Sequence, residues 1–258
     1  MIQDRPSTLL FVIPCYNEEF RLDSDSYKTS LINDSSISIL FVNDGSSDNT
    51  EQVLVKLKDQ FPLQIEVLSL NKNKGKAEAV RLGVQHILST RPEILSIAYL
   101  DADLATSIEE GLTIAALLQE NDDLKFVFGS RISRVGSTII RKTHRHLIGR
   151  IIATFISNIL KLRVYDTQCG AKVFSRNLAE FVFQKPFISK WLFDVEIFAR
   201  MLCSSDSYSE KNMLEYPLKQ WIDHDGSKVK WTYSFKLFFD LYKIKSHYPE
   251  LKKRKNME

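Results

Sequence analysis

Little in this sequence points to a membrane-spanning segment or to an oxidising compartment. Across 258 residues no run reaches the ~18 consecutive apolar residues that a spanning helix needs. The polar start Met1-Ile2-Gln3-Asp4-Arg5-Pro6 lacks a signal-peptide pattern. Only 3 cysteines occur, Cys15, Cys169 and Cys203, far apart and without C-x-x-C spacing, which excludes a disulfide framework or a zinc knuckle and fits a reduced cytosol. Glycine is missing where nucleotide folds use it. A dinucleotide site places Gly-x-Gly-x-x-Gly after the first strand so that a pyrophosphate can approach backbone N–H groups, but Glu18 and Glu19 stand there. A P-loop is excluded because Leu70 takes its first glycine position and Ala77 follows Gly75-Lys76. The formal charge of +3 is too small to demand nucleic acid. There is no internal repeat, low-complexity tract or clear linker.

With 44% apolar and 26% charged residues, the chain can bury the core of one large domain. Apolar runs at Leu9 to Ile13, Ile37 to Val42, Ile65 to Leu70, Ile94 to Leu100 and Phe126 to Phe128 alternate with helix-periodic stretches. That is the βαβ pattern of an α/β fold, a parallel sheet covered on both faces. Asp48 followed by Glu51 reads as a capping box for a helix reaching Phe61. Ligands of such sheets sit beyond the carboxyl ends of the strands. The stretches to examine are therefore Pro14 to Glu19, Asn43 to Ser46, Asn71 to Lys76 and Asp101 to Asp103.

Asp101 and Asp103 stand where the apolar run to Leu100 ends. In an extended chain they face the same way, and two carboxylates that close repel unless a cation joins them. Mg2+ or Mn2+ suits carboxylate oxygens and completes its shell with water and substrate phosphates. The plain alternative is a solvated strand end ahead of a helix starting near Ser107. Asp44-Gly45-Ser46 has a plain alternative too, an ordinary turn. Arg131 is either a solvated cation or the guanidinium fork that a pyrophosphate needs. Cys169 reads as a packed small residue, since no histidine is near it. His144 and His146 read as solvated members of a basic stretch.

Taken together, Phe11-Val12-Ile13-Pro14-Cys15-Tyr16-Asn17-Glu18-Glu19, Val42 to Thr50, Asn73-Lys74-Gly75-Lys76 and Leu100-Asp101-Ala102-Asp103 resemble the family 2 inverting glycosyltransferases of GT-A fold. Phe128 to Arg131, Asp166 to Lys172, Trp191 to Glu196 and Gly226-Ser227-Lys228-Val229 narrow this to the dolichyl-phosphate glucosyltransferase and dolichyl-phosphate mannose synthase branch. The resemblance runs from about Leu9 to Val229. It implies that Asp44 binds the base and that Pro14, Tyr16 and Glu18 line the nucleoside pocket, with Gly75 and Lys76 also on the donor side. It further implies that Asp101 faces the nucleotide and that Asp103, with Asp101 beside it, holds the metal. There are two departures. Eukaryotic glucosyltransferases of the branch carry an N-terminal membrane anchor that is not seen here, and mannose synthases usually have Gln where this chain has Ala105.

The implied reaction moves a hexose from a UDP- or GDP-sugar to polyprenyl phosphate, with Arg131 and the metal at Asp103 stabilising the departing diphosphate. A lipid phosphate is already largely anionic, its second pKa being ~6, and needs no general base. Ser227 and Lys228 would hold it. If the acceptor were instead a sugar hydroxyl, as in surface polysaccharide synthesis, Asp194 and Glu196 are the candidate bases; on the family's pattern they order the acceptor pocket. Arg141 to Leu162 and Trp231 to Tyr242 read as amphipathic helices with basic flanks, either packed on the sheet or lying in a membrane interface. The expected layout is a single domain: a nucleotide-sugar half over 8–130, an acceptor half over 131–230, then a helix and basic tail over 231–258. A cytoplasmic location follows, peripheral on the cytoplasmic face of a membrane. The reading outside enzymes, a membrane- or nucleic-acid-binding protein, conflicts with the acidic cleft.

Overall fold

The computed structural model describes residues 8–140, 143–204, 207–222 and 233–254. Its first part alternates as the apolar runs require: β1 (Leu9–Cys15), α1 (Ser24–Asn33), β2 (Ile39–Asn43), α2 (Thr50–Gln60), β3 (Ile65–Ser69), α3 (Lys76–Thr90), β4 (Ser96–Leu100), α4 (Ile108–Gln119) and β5 (Phe126–Ser130). There follow β6 (Thr138–Ile140), α5 (Thr143–Leu160), β7 (Ala171–Ser175), α6 (Arg176–Val182), α7 (Phe193–Leu202), β8 (Met213–Pro217), β9 (Gln220–Ile222) and α8 (Tyr233–His247). Seven strands form one sheet in the order β3-β2-β1-β4-β7-β5-β8, and β6 pairs with β9 alone. Every pairing is parallel except those of β7, which runs antiparallel between β4 and β5. The sheet is thus mixed rather than purely parallel, and the expected nucleotide and acceptor halves share it.

Alternation along the strands divides the core into two layers. Leu10 and Val12 of β1, with Ile97 and Tyr99 of β4, face the side covered by α3, α6 and α7. Phe11, Ile13, Ala98 and Leu100 face the side covered by α1, α2 and α4. Such two-sided burial explains why these strands read as continuous apolar runs.

Two local expectations are corrected. The residue before α2 is Asn49, and no side chain caps that helix. Asp48 instead accepts from Thr50 N–H (3.0 Å), while Glu51 reaches out to Ser69 Oγ (2.7 Å). Nor does the chain stay extended after β4. Leu104 N–H turns back to the Asp101 carbonyl (3.2 Å), and Leu104 itself takes a left-handed φ of +49°.

Candidate active site

Three loops at the carboxyl ends of β1, β2 and β3 are tied to one another by hydrogen bonds in which side chains take part. Asn17 accepts from Ser47 N–H (2.9 Å), Glu18 N–H donates to Thr50 Oγ1 (2.8 Å), and Glu19 accepts from Asn49 Nδ2 (2.7 Å). Asp44 fastens the third loop. Its carboxylate accepts the N–H groups of Lys74 (2.7 Å) and Gly75 (2.8 Å) and the Asn73 amide (3.0 Å). Burial raises its pKa, and the two backbone donors pull the other way. Gly45, at φ +61°, lies so close to the third loop that a Cβ would sit 2.4 Å from the Lys72 carbonyl carbon. Asp44-Gly45-Ser46 forms a bend whose aspartate organises a neighbouring loop. Pro14 and Glu18 lie within this framework, and Tyr16 is 37% exposed at its edge.

The carboxylates at the end of β4 diverge. Asp101 pairs with Lys76 Nζ at 2.5 Å. Asp103 pairs with Arg21 Nη2 at 3.4 Å, and Arg21 also reaches Glu18. Lys76 stays protonated above the usual lysine range: burial opposes this, but Asp101 and then Asp194 outweigh it. Gly170 is what lets Asp101 settle here, because a Cβ at that position would lie 2.0 Å from its Oδ2.

Arg131, just past β5, is half-buried and ion-paired rather than solvated. Its Nε and Nη2 donate to the two oxygens of Asp166 (2.6 and 2.9 Å), and its guanidinium faces the Trp221 ring at 5.2 Å. Asp166 is held well below the usual carboxylate range, the Arg131 charge and hydrogen bonds outweighing burial. Glu215 in turn accepts the N–H groups of Tyr165 (2.9 Å) and Asp166 (2.8 Å), which fixes the loop that carries them. Cys169 is fully buried, and burial pushes its thiol up to about 11, so it is packed and not nucleophilic.

The two candidate bases occupy other positions. Asp194 is buried, with Lys172 Nζ 2.8 Å from Oδ1 and the Tyr99 hydroxyl donating to the same oxygen. Glu196 is fully buried and engaged on both oxygens by Ile188 N–H (2.7 Å), Arg200 (2.8 Å) and the Tyr248 hydroxyl (3.0 Å). That environment gives Glu196 fold contacts on both of its oxygens. Ser227 and Lys228 lie outside the described residues. Arg21 and Glu215 were not singled out from sequence, and Asp166 and Lys172 entered only as the ends of a motif, with no role given to either; Lys172, a lysine inside an apolar strand, carried a signal of its own.

The matches to known proteins agree with this geometry. The model of glycosyl transferase family 2 matches residues 10–183. The chain is 30% identical to a dolichyl-phosphate beta-glucosyltransferase of Dictyostelium discoideum, over 93% of this chain and 74% of that one. It is 31% identical to the one of Saccharomyces cerevisiae, over 95% and 76%. Glucosyl-3-phosphoglycerate synthase from Mycobacterium tuberculosis, crystallised with Mn2+, UDP-glucose and phosphoglyceric acid, superposes with a TM-score of 0.67 at 16% identity, covering 93% of this chain and 80% of that one. That likeness shows the GT-A fold. The family match over most of the chain and the relatives at 30% identity lead to one assignment: this chain belongs to glycosyl transferase family 2.

Proposed function

We propose that this glycosyltransferase moves glucose from a nucleotide sugar to dolichyl or a related polyprenyl phosphate, with inversion. The observation that carries the reading is the engagement of both candidate bases. Asp194 is paired with buried Lys172, and Glu196 is locked into α7 and its neighbours. An acceptor whose oxygen already bears charge suits a cleft of this kind. The names of the two relatives above point the same way.

Within this reading the loops of Pro14, Tyr16, Glu18, Asp44 and Gly75 receive the nucleoside, and Lys76 and Arg131 bring positive charge toward the diphosphate. Asp103 and Asp101 fit Mg2+ or Mn2+. Both are carboxylates of the hard type those ions take, and both already hold a cationic group. When bound, the ion would offset charge building on the leaving diphosphate. Asp194 fixes Lys172 and Tyr99 under the cleft floor, and Asp166 aims Arg131. Ser227 and Lys228 keep their assignment to the acceptor phosphate from the sequence resemblance.

Access to a lipid acceptor is supported by an apolar surface. Leu147, Ile151 and Phe155 of α5 and Phe238, Phe239 and Tyr242 of α8 are each at least 46% exposed. Phe155 meets Phe238 edge-on, with centroids 5.5 Å apart. The other sides of the same helices bury Ile156, Leu160, Leu241 and Ile244, so each helix serves both core and surface. With Lys243 over the Phe239 ring and Lys245, Lys252 and Lys253 nearby in the chain, this surface suits an anionic bilayer interface. No described helix is long and apolar enough to cross a membrane.

The test is a panel of UDP- and GDP-sugars with Mg2+ or Mn2+, with and without polyprenyl phosphate, scored by nucleoside diphosphate release. Release that depends on the lipid phosphate is expected. Release that instead requires a sugar-hydroxyl acceptor would overturn the acceptor assignment.

A further inference from the structure

The loop joining α6 to α7 brings a lysine to the donor loops from the far side of the cleft. A Cβ placed on Gly75 would meet the Lys190 side chain at 3.4 Å (Cδ), and the Lys190 charge is felt at the Asp44 carboxylate. Gly75 donates its backbone N–H to Asp44 and precedes Lys76, so Lys190 stands beside the very loop that Asp44 shapes. Unlike Lys76, Arg21 and Arg131, which ion pairs hold down, exposed Lys190 enters none of those pairs among the described residues.

Its backbone is fixed on both flanks. On one side Ile188 N–H donates to Glu196. On the other, Ser189 Oγ accepts Leu192 N–H (2.9 Å) and donates to Asp240 Oδ2 (2.7 Å). Ser189 is 1% exposed and Asp240 is 7% exposed. Asp240 belongs to α8, the helix whose other side presents Phe238, Phe239 and Tyr242. A long cationic side chain on a pinned backbone, next to a preformed nucleotide loop and free to extend, has the features of a ligand contact.

We infer that Lys190 contacts the nucleoside diphosphate portion of the donor, and that Asp240 of α8 is a positioning residue that sets Lys190 through Ser189. The inference rests on the donor-site reading above. It also links the donor cleft physically to the helix proposed to face lipid, since Ser189 and Asp240 form the joint between them.

The test is calorimetric titration of UDP and GDP, with Mg2+ present, into the wild-type protein and the variants Lys190→Ala, Lys190→Arg, Asp240→Ala and Lys190→Ala/Asp240→Ala. Lys190→Ala should weaken the nucleotide that the wild type binds by about tenfold, a ~1.4 kcal/mol effect, and Lys190→Arg should restore most of it. Asp240→Ala should weaken binding comparably but add nothing in the Lys190→Ala background, the non-additivity expected of residues acting in series. Undiminished binding by Lys190→Ala overturns the inference, and additive effects remove Asp240 from it. If Asp240→Ala does not fold, Asp240→Asn keeps an acceptor for Ser189 and should bind like wild type, while the exposed Lys190 variants still decide the contact. A wild-type protein that binds neither nucleotide removes the donor-site reading and this inference together, which separates the two failures.

Discussion

The two ends of the cleft are held in different ways. At the end next to β2 and β3, Asp44 spends its carboxylate on backbone N–H groups of a neighbouring loop. Near the aspartate pair, Asp101 and Asp103 are held by side-chain cations, at 2.5 and 3.4 Å. Backbone donors cannot swing away, so the first end is a preformed mould. Lysine and arginine heads on long stems can, so the second end keeps its charge balance in exchangeable form. The difference teaches where rigidity and where ligand-driven rearrangement reside in one cleft.

The largest effect is expected from Asp103→Asn. It should cut turnover by about 10³-fold, several kcal/mol of electrostatic stabilisation, with the unfolding midpoint unchanged. Chelator should do the same to the wild type. Equal turnover in chelator would remove the metal from the reaction.

Asp194→Asn should act on stability instead. It leaves the Lys172 ammonium buried with its partner neutralised, a loss of about 3–5 kcal/mol measurable by denaturant unfolding. A variant as stable as wild type would mean that Lys172 is not held by this pair. Gly170→Ala should displace Asp101 and lower turnover by about 10²-fold, with most of the donor affinity kept. Retained activity would show that Asp101 has room elsewhere.

Asp44→Asn sets an amide N–H2 against a backbone N–H. It should cost about 1.5–3 kcal/mol of stability and weaken donor binding, read as a raised donor KM. If it lowers kcat alone, the mould description fails. Smallest in stability, within about 0.5 kcal/mol for surface positions, is the pair Phe155→Ser/Phe238→Ser. Its effect should appear only in co-sedimentation with anionic vesicles, which should fall below wild type and fall further with salt. Equal sedimentation would return both helices to a purely structural role.

What could be read from the chain follows from how local each determinant is. Runs such as Leu9 to Ile13 are buried on both faces, so composition alone marks them. Ala171–Ser175 escaped because Lys172 interrupts its apolar character, and that lysine is affordable only beside Asp194, which is distant in sequence. The capping box at Asp48 and Glu51 had the right spacing, yet Ser69 offered Glu51 a tertiary partner. Among site residues, Asp44, Asp101, Asp103 and Arg131 announced themselves by their position after strands. Arg21 did not, and Asp166 and Gly170 stood in a recognisable motif that said nothing of their pairing with Arg131 and Asp101, since only folding brings them close.

The reversed strand β7 also bears on how the protein is made. A ribosome releases β4 and β5 well before Ala171–Ser175, and during that interval the two strands cannot be joined because their common neighbour is still unsynthesised. Each then carries an open edge capable of pairing with another chain. A nascent chain or fragment ending before Gly170 therefore has a broken sheet and lacks the close approach that Gly170 allows Asp101, so the sheet around β4 can be completed only late in synthesis.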